Sequence, residues 1–151
     1  MVAEETLSVW YSREGSDAHR LNLDSPALPD IRIDYAGIPE EARGGTAVRL
    51  LCAAALYCFA STLGSALASR GARVRSLTGR ATAVKGRDDY FRTRVKALRI
   101  EVDVDLDPED LPLLAKCKEI AERGCLVTYS LSEGVAVQHI VRQADQPRPA
   151  G

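Results

Sequence analysis

The sequence predicts an α+β protein, a mostly antiparallel sheet packed on one long central apolar helix. Three observations carry this. Short alternating stretches bounded by turn signals flank a single helical block. That block contains Leu50–Ser69, twenty residues without a charge. The segments follow in the order β-β-β-α-β-β-α-β, which lacks the one-for-one alternation of a parallel α/β sheet.

The elements follow from local pattern. Residues Thr6–Ser12 alternate, with Leu7, Val9 and Tyr11 on one face, and predict a first strand. Arg13-Glu14-Gly15-Ser16-Asp17 is a turn signal, and His19–Asp24 continues as the second arm of a hairpin. Pro26 and Pro29 break that run, and Ile31–Tyr35 is a third short strand. Gly37–Gly45 is a loop. A helix is predicted from Thr46 to about Arg70, with Gly71 as its stop. Val74–Lys85 is a strand, and Gly86-Arg87-Asp88-Asp89 is its hairpin turn.

The next strand changes phase. Phe91, Thr93, Val95 and Ala97 occupy odd positions, whereas Leu98, Ile100, Val102, Val104 and Leu106 occupy even ones. A one-residue slip sends every side chain to the other face, so a bulge or bend is expected near Ala97–Arg99. Asp107 is expected to cap a second helix with Pro108 at its first position, ending at Arg123-Gly124. Cys125–Arg142 is predicted as a strand or hairpin turning at Ser132-Glu133-Gly134.

With 151 residues the chain has the size of one domain, predicted over 1–142, with a polar, proline-rich tail over 143–151. Four cysteines are too few for a disulfide scaffold and form no C-x-x-C pair, and two histidines are scarce for a metal site. No metal and no organic cofactor are therefore expected. No basic segment followed by a short apolar core stands near Met1, so the cytoplasm is the expected compartment. There, a cysteine pair is more often catalytic or redox-sensing than structural.

Charge is unevenly spread. Residues 70–99 hold ten Lys/Arg against two Asp, and residues 100–125 hold eight Asp/Glu against three basic residues. The acids follow the bases at once, so pairing between the two segments is expected rather than nucleic-acid binding. The long helix is apolar on nearly all sides. Its uncharged stretch is long enough to span a bilayer. Much of it is Ala, Ser, Thr, Gly and Cys, so burial by the sheet and a partner subunit is expected instead of a membrane.

Two cysteines stand out: Cys58 in the middle of the uncharged stretch, and Cys125 just after the second helix. Free cysteine is often a small buried hydrophobe, and that is the bland reading of each. Cys52, about 240° around the helix from Cys58, and Cys117, beside Leu113, Leu114 and Ile120, are expected to be core filler. His139 is expected to be structural, His19 exposed in a hairpin, and Trp10 and Phe91 core anchors.

The segment Thr46-Ala47-Val48-Arg49-Leu50-Leu51-Cys52-Ala53-Ala54-Ala55-Leu56-Tyr57-Cys58-Phe59 resembles the central helix of the OsmC/Ohr family, the osmotically inducible and organic-hydroperoxide-resistance proteins. Gly124-Cys125-Leu126-Val127-Thr128-Tyr129-Ser130-Leu131 resembles that family's second-cysteine segment. The spacing of 67 residues, the element order and the length agree.

The resemblance implies an OsmC-like fold, an intertwined homodimer and a thiol peroxidase for organic hydroperoxides. Cys58 would become a sulfenic acid, Cys125 would close a disulfide onto it, and a dithiol of lipoyl or thioredoxin type would restore both. It also implies an arginine beside the first thiol, held by a glutamate near the helix start. Here Val48 stands where the glutamate should be. Arg13, Arg32 and Arg43 are the candidate arginines. Cys58 lies about a dozen residues into its own helix, too far for that helix's positive end to act on it. The alternative function is a binding protein of the same fold for a small apolar ligand, with little or no peroxidase activity.

Overall fold

The computed structural model describes residues 3–144. The tail predicted over 143–151 lies outside the described residues from 145 onward. The chain divides into two compact units, Met1–Thr46 and Ala47–Gly151.

The first unit is a three-stranded antiparallel sheet of β1 (Trp10–Glu14), β2 (Ala18–Asn22) and β3 (Ile31–Asp34), in that order. Its register puts Tyr11, Arg13, His19, Leu21, Ile31 and Ile33 on one face, and Trp10, Ser12, Arg20, Asn22 and Arg32 on the other. Trp10 therefore shares the polar face and is exposed, not a core anchor. The first strand starts at Trp10, later than predicted, and Leu7 and Val9 stand exposed before it. His19 is half-buried, not exposed: its Nδ1 lies 2.9 Å from the Tyr11 hydroxyl and its ring meets Tyr35 edge-on.

The second unit holds all of the buried apolar residues among those described. It opens with α1 (Thr46–Ser69), close to the predicted bounds. The helix ends in a Schellman motif: Ala72 N–H donates to the Leu67 carbonyl and Gly71 N–H to that of Ala68. Gly71 takes φ +81°, the left-handed region this motif needs.

Strands β4 (Val74–Arg87) and β5 (Thr93–Leu106) form one long antiparallel hairpin. Pairing passes from Val84–Ala97 to Lys85–Val95, so Lys96 is the bulged residue. The expected phase break exists, one residue before its expected place. The turn is Asp88–Arg92, also later than predicted. The Asp88 carboxylate accepts from the N–H groups of Tyr90 and Arg92. Phe91, at φ +61° in this turn, is exposed and anchors no core.

The helix α1 lies on this hairpin. A Cβ on Gly79 would come within 2.8 Å of the Glu101 carbonyl and 3.0 Å of the Leu56 side chain, so only glycine permits the close approach. The core is Leu63, Leu67, Leu106, Cys117 and Ala121, with Phe59, Val74, Val102, Val104 and Leu114 packed against it. Cys117 is core filler as expected, and Cys52 is half-buried.

The expected basic–acidic pairing is present. Arg73 meets Asp107 and Glu109; Arg75 meets Asp105 and Asp107; Arg80 and Arg99 both meet Glu101. Asp107 is thus not a side-chain cap, because two guanidiniums take its carboxylate. A 3-10 turn over Pro108–Asp110 leads into α2 (Leu111–Ala121).

The final predicted strand is a helix, α3 (Leu126–Glu133), and residues 135–144 form no regular element. The β-branched and aromatic run Val127-Thr128-Tyr129 suggested a strand. Local capping outweighs that propensity: Gly124 at φ +101° turns the chain, and Thr128 Oγ1 accepts from Cys125 N–H at 2.9 Å, as the third residue of a capping box does. His139 falls in the irregular segment rather than in a strand.

Candidate functional site

Cys58 and Cys125 meet at the start of α3. Cys125 is the residue that caps the helix, and 5% of its surface is exposed. Cys58 comes from the middle of α1 and is half-buried. Its Sγ accepts from the backbone N–H of Val127, the second residue of α3, at 3.5 Å. The two thiols are close enough for each to shift the other's acidity, and both are free. Thr128 Oγ1 lies 3.2 Å from Cys125 Sγ.

Unpaired N–H groups and the positive end of a helix favour an anion within the first turn. Cys58 sits beyond reach of this effect in its own helix but inside it for α3. A strand in this segment, as the sequence predicts, would offer neither thiol a helix start. The signal that could have found it is Gly124-Cys125-x-x-Thr128, a stop glycine followed by a cap and a hydroxyl three residues on.

The two thiols are pushed apart in acidity. Burial raises the Cys58 pKa, the neighbouring Cys125 raises it further, and the N–H groups of Val127 and Leu126 oppose this. Burial also works against the Cys125 thiolate. Hydrogen bonds from Cys58, from the Thr128 hydroxyl and from the N–H groups of Thr128 and Val127 outweigh it and hold that thiol below its ordinary pKa. The pair therefore loses its first proton more easily than a lone thiol and its second less easily.

A cleft of about 530 Å³ adjoins the pair through Gly124 and Thr128. Phe59, Leu98, Ile100 and Leu131 give it apolar walls, and Arg94 and Lys96 bring positive charge. Among the described residues no group of His, Cys, Asp and Glu is arranged to hold a metal.

The three arginines all belong to the first unit. Arg13 and Arg32 lie on opposite faces of its sheet. Arg32 lines a concavity with Glu14, Arg20 and Asp30. Arg43 is held on three sides: its Nη1 lies 3.2 Å from Asp17, its Nε donates to the Ile38 carbonyl at 2.7 Å, and its guanidinium stands 5.7 Å from the Tyr35 ring centre. Val48, on the first turn of α1, is half-buried.

A long helix on an antiparallel hairpin, with one thiol brought against a second at a helix start, defines a class of α+β thiol proteins. Within it, the chain belongs to the OsmC-like family, whose model matches residues 40–140. It is similar in fold to an OsmC-like protein of unknown function from Vibrio cholerae, at 18% identity and TM-score 0.67, covering 84% of this chain and 94% of that one. It is also similar to an OsmC-like protein from Mycoplasma pneumoniae, at 12% identity and TM-score 0.66, covering 86% and 89%. An organic hydroperoxide resistance protein from Elizabethkingia anophelis matches at 15% identity and TM-score 0.56, covering 86% and 91%. At these identities the likeness shows the fold. No curated protein matches the sequence.

Proposed function

We propose that this protein is a cysteine-based peroxidase for organic hydroperoxides, working as a homodimer in the cytoplasm. The observation that carries the reading is the meeting of Cys58 and Cys125, 67 residues apart in the chain, at one helix start. The solved structures of similar fold include proteins named for hydroperoxide resistance.

Cys58 attacks one peroxide oxygen as the thiolate, while the neighbouring Cys125 holds the pair's remaining proton. The O–O bond breaks, the leaving alkoxide takes a proton and departs as alcohol, and Cys58 becomes a sulfenic acid. The Cys125 sulfur then attacks the Cys58 sulfur. An S–S bond forms, the S–O bond breaks, and water leaves. A dithiol of lipoyl or thioredoxin type reduces the disulfide by thiol exchange. Arg13→Met, Arg32→Met and Arg43→Met, each read as the rate of Cys58 oxidation, test which of the three candidate arginines the thiolate needs.

The homodimer has support in exposed apolar surface. Only three residues of the 24-residue α1 are buried. Tyr57 and Leu126, next to the two cysteines, are 76% and 78% exposed. Residues Glu40–Ser69 are long and apolar enough to cross a bilayer by length and composition alone. A second copy covering α1 accounts for the same surface without a bilayer. Sedimentation tests this: a monomer in dilute buffer refutes it.

The functional test is a thiol titration with one equivalent of cumene hydroperoxide. Wild type is expected to lose two thiols per chain and Cys58→Ser none. A second reading, a binding protein for a small apolar ligand, is favoured by Val48 in place of the family's glutamate. No thiol loss in wild type would support that reading instead.

A further inference from the structure

We infer that Thr128 is a positioning residue: its hydroxyl holds the Cys125 sulfur, as thiolate, against Cys58. The inference rests on the thiol-pair reading above and assigns a part to a side chain that reading leaves idle.

The geometry gives the hydroxyl one residue to donate to, Cys125. Thr128 Oγ1 already accepts from Cys125 N–H at 2.9 Å, so one lone pair is used. Its hydrogen has two acceptors in range, both on Cys125: the sulfur at 3.2 Å and the carbonyl oxygen at 3.5 Å. The sulfur is nearer, and a charged sulfur is the stronger acceptor. Thr128 thus ties the backbone and the sulfur of Cys125 together from one point.

That point is itself fixed. Threonine is stiff about χ1. A Cβ on Gly124 would lie 3.3 Å from Thr128 Oγ1 and 3.3 Å from the Tyr129 nitrogen, so the glycine leaves the space the hydroxyl occupies. Meanwhile Val127, the adjacent residue, gives its N–H to Cys58. Successive residues of one helical turn therefore grip the two sulfurs, Val127 through its backbone and Thr128 through its side chain.

The consequence lies in disulfide closure. The attacking species is the Cys125 thiolate, and its sulfur must stay toward Cys58 to react. The hydroxyl favours both the charge and the position of that sulfur. Its removal should slow closure and shift the pH dependence of closure upward.

The test uses diamide, which oxidises two thiols to a disulfide and is itself reduced to the hydrazine, so no peroxide is involved. The rate of Cys58–Cys125 disulfide formation is followed from pH 6 to 10 by peptide mass mapping. The proteins are wild type, Thr128→Val, Thr128→Ala and Thr128→Ser. Valine keeps the shape and loses the hydroxyl. It is expected to slow closure up to about tenfold at pH 7, the size of one hydrogen bond, and to move the profile to higher pH. Serine is expected to restore both. Should Thr128→Val fail to fold by circular dichroism, the Thr128→Ala and Thr128→Ser pair reads the same hydroxyl. An unshifted profile in the hydroxyl-free variant overturns the inference. So does a serine variant no better than valine, or wild type that forms no Cys58–Cys125 disulfide with diamide. A hydroxyl-dependent profile in a protein that ignores cumene hydroperoxide would refute the peroxidase and leave the positioning role standing.

Discussion

The two units of this chain are held by different forces. Residues 3–46 contain no buried side chain. Their sheet is tied by polar contacts: Arg20 to Asp30, Asn22 to Asp30, the Tyr35 hydroxyl to Thr46, and Arg43 to Asp17. The unit from Ala47 onward has a dry core of Leu63, Leu67, Leu106, Cys117 and Ala121. Exposed ion pairs contribute about 0–1 kcal/mol each, whereas one fully buried leucine contributes about 1.5–3 kcal/mol. A three-stranded sheet draws independent stability from a hydrophobic face or from packing against a helix. The contrast teaches that the buried apolar core and the thiol pair reside in the second unit, while polar contacts hold the first.

The largest expected effect is on chemistry in the second unit. Cys125→Ser is expected to end turnover after one peroxide per chain, leaving a Cys58 sulfenic acid that dimedone labels. Continued turnover would remove Cys125 from the reaction. Next comes the core. Leu67→Ala, at a fully buried site, is expected to cost about 2–5 kcal/mol in urea unfolding. Leu28→Ala in the first unit, at 53% exposure, is expected to cost within about 0.5 kcal/mol. Equal costs would break the contrast between the units.

A smaller effect is expected at the helix stop. Gly71→Ala places a Cβ at φ +81° and is expected to cost about 1 kcal/mol, read from the same unfolding curves.

The smallest effect is pH-linked. The hydrogen bond from Arg20, then that from Asn22, hold the Asp30 carboxyl below its ordinary value of 3.8. A folded pKa below the unfolded one gives stability that is present above about pH 4. That stability fades as pH falls through the folded value. Hydrogen exchange of β2 and β3 amides is expected to accelerate over that range, and Asp30→Asn is expected to flatten the change. The second unit has acid-sensitive pairs too, at Glu101 with Arg80 and at Asp105 with Arg75, but its core is expected to persist when they are protonated. Equal acceleration in β4 and β5 would show that the core does not protect them.

Much of the fold was legible in the residues. The helix from Thr46, the long hairpin and its phase break all follow from periodicity, because burial on one face writes itself into alternation. The first strand begins later than alternation suggests, since Leu7 and Val9 have no strand beside them, and the second begins one residue earlier than predicted, at Ala18. Trp10 misled for a related reason: its size suggested a core, but register put it opposite Asn22 on the polar face.

The sequence by itself determined which elements exist and that two thiols stand on separate segments, because propensity, capping and apolar period are local properties. It did not determine how the thiols are polarised. That was decided when α1 laid Cys58 across the first turn of α3, where the Val127 N–H reaches one sulfur and the Thr128 hydroxyl the other. The contact to Cys58 joins residues 69 positions apart, and a hydrogen bond between distant segments leaves no period in either of them.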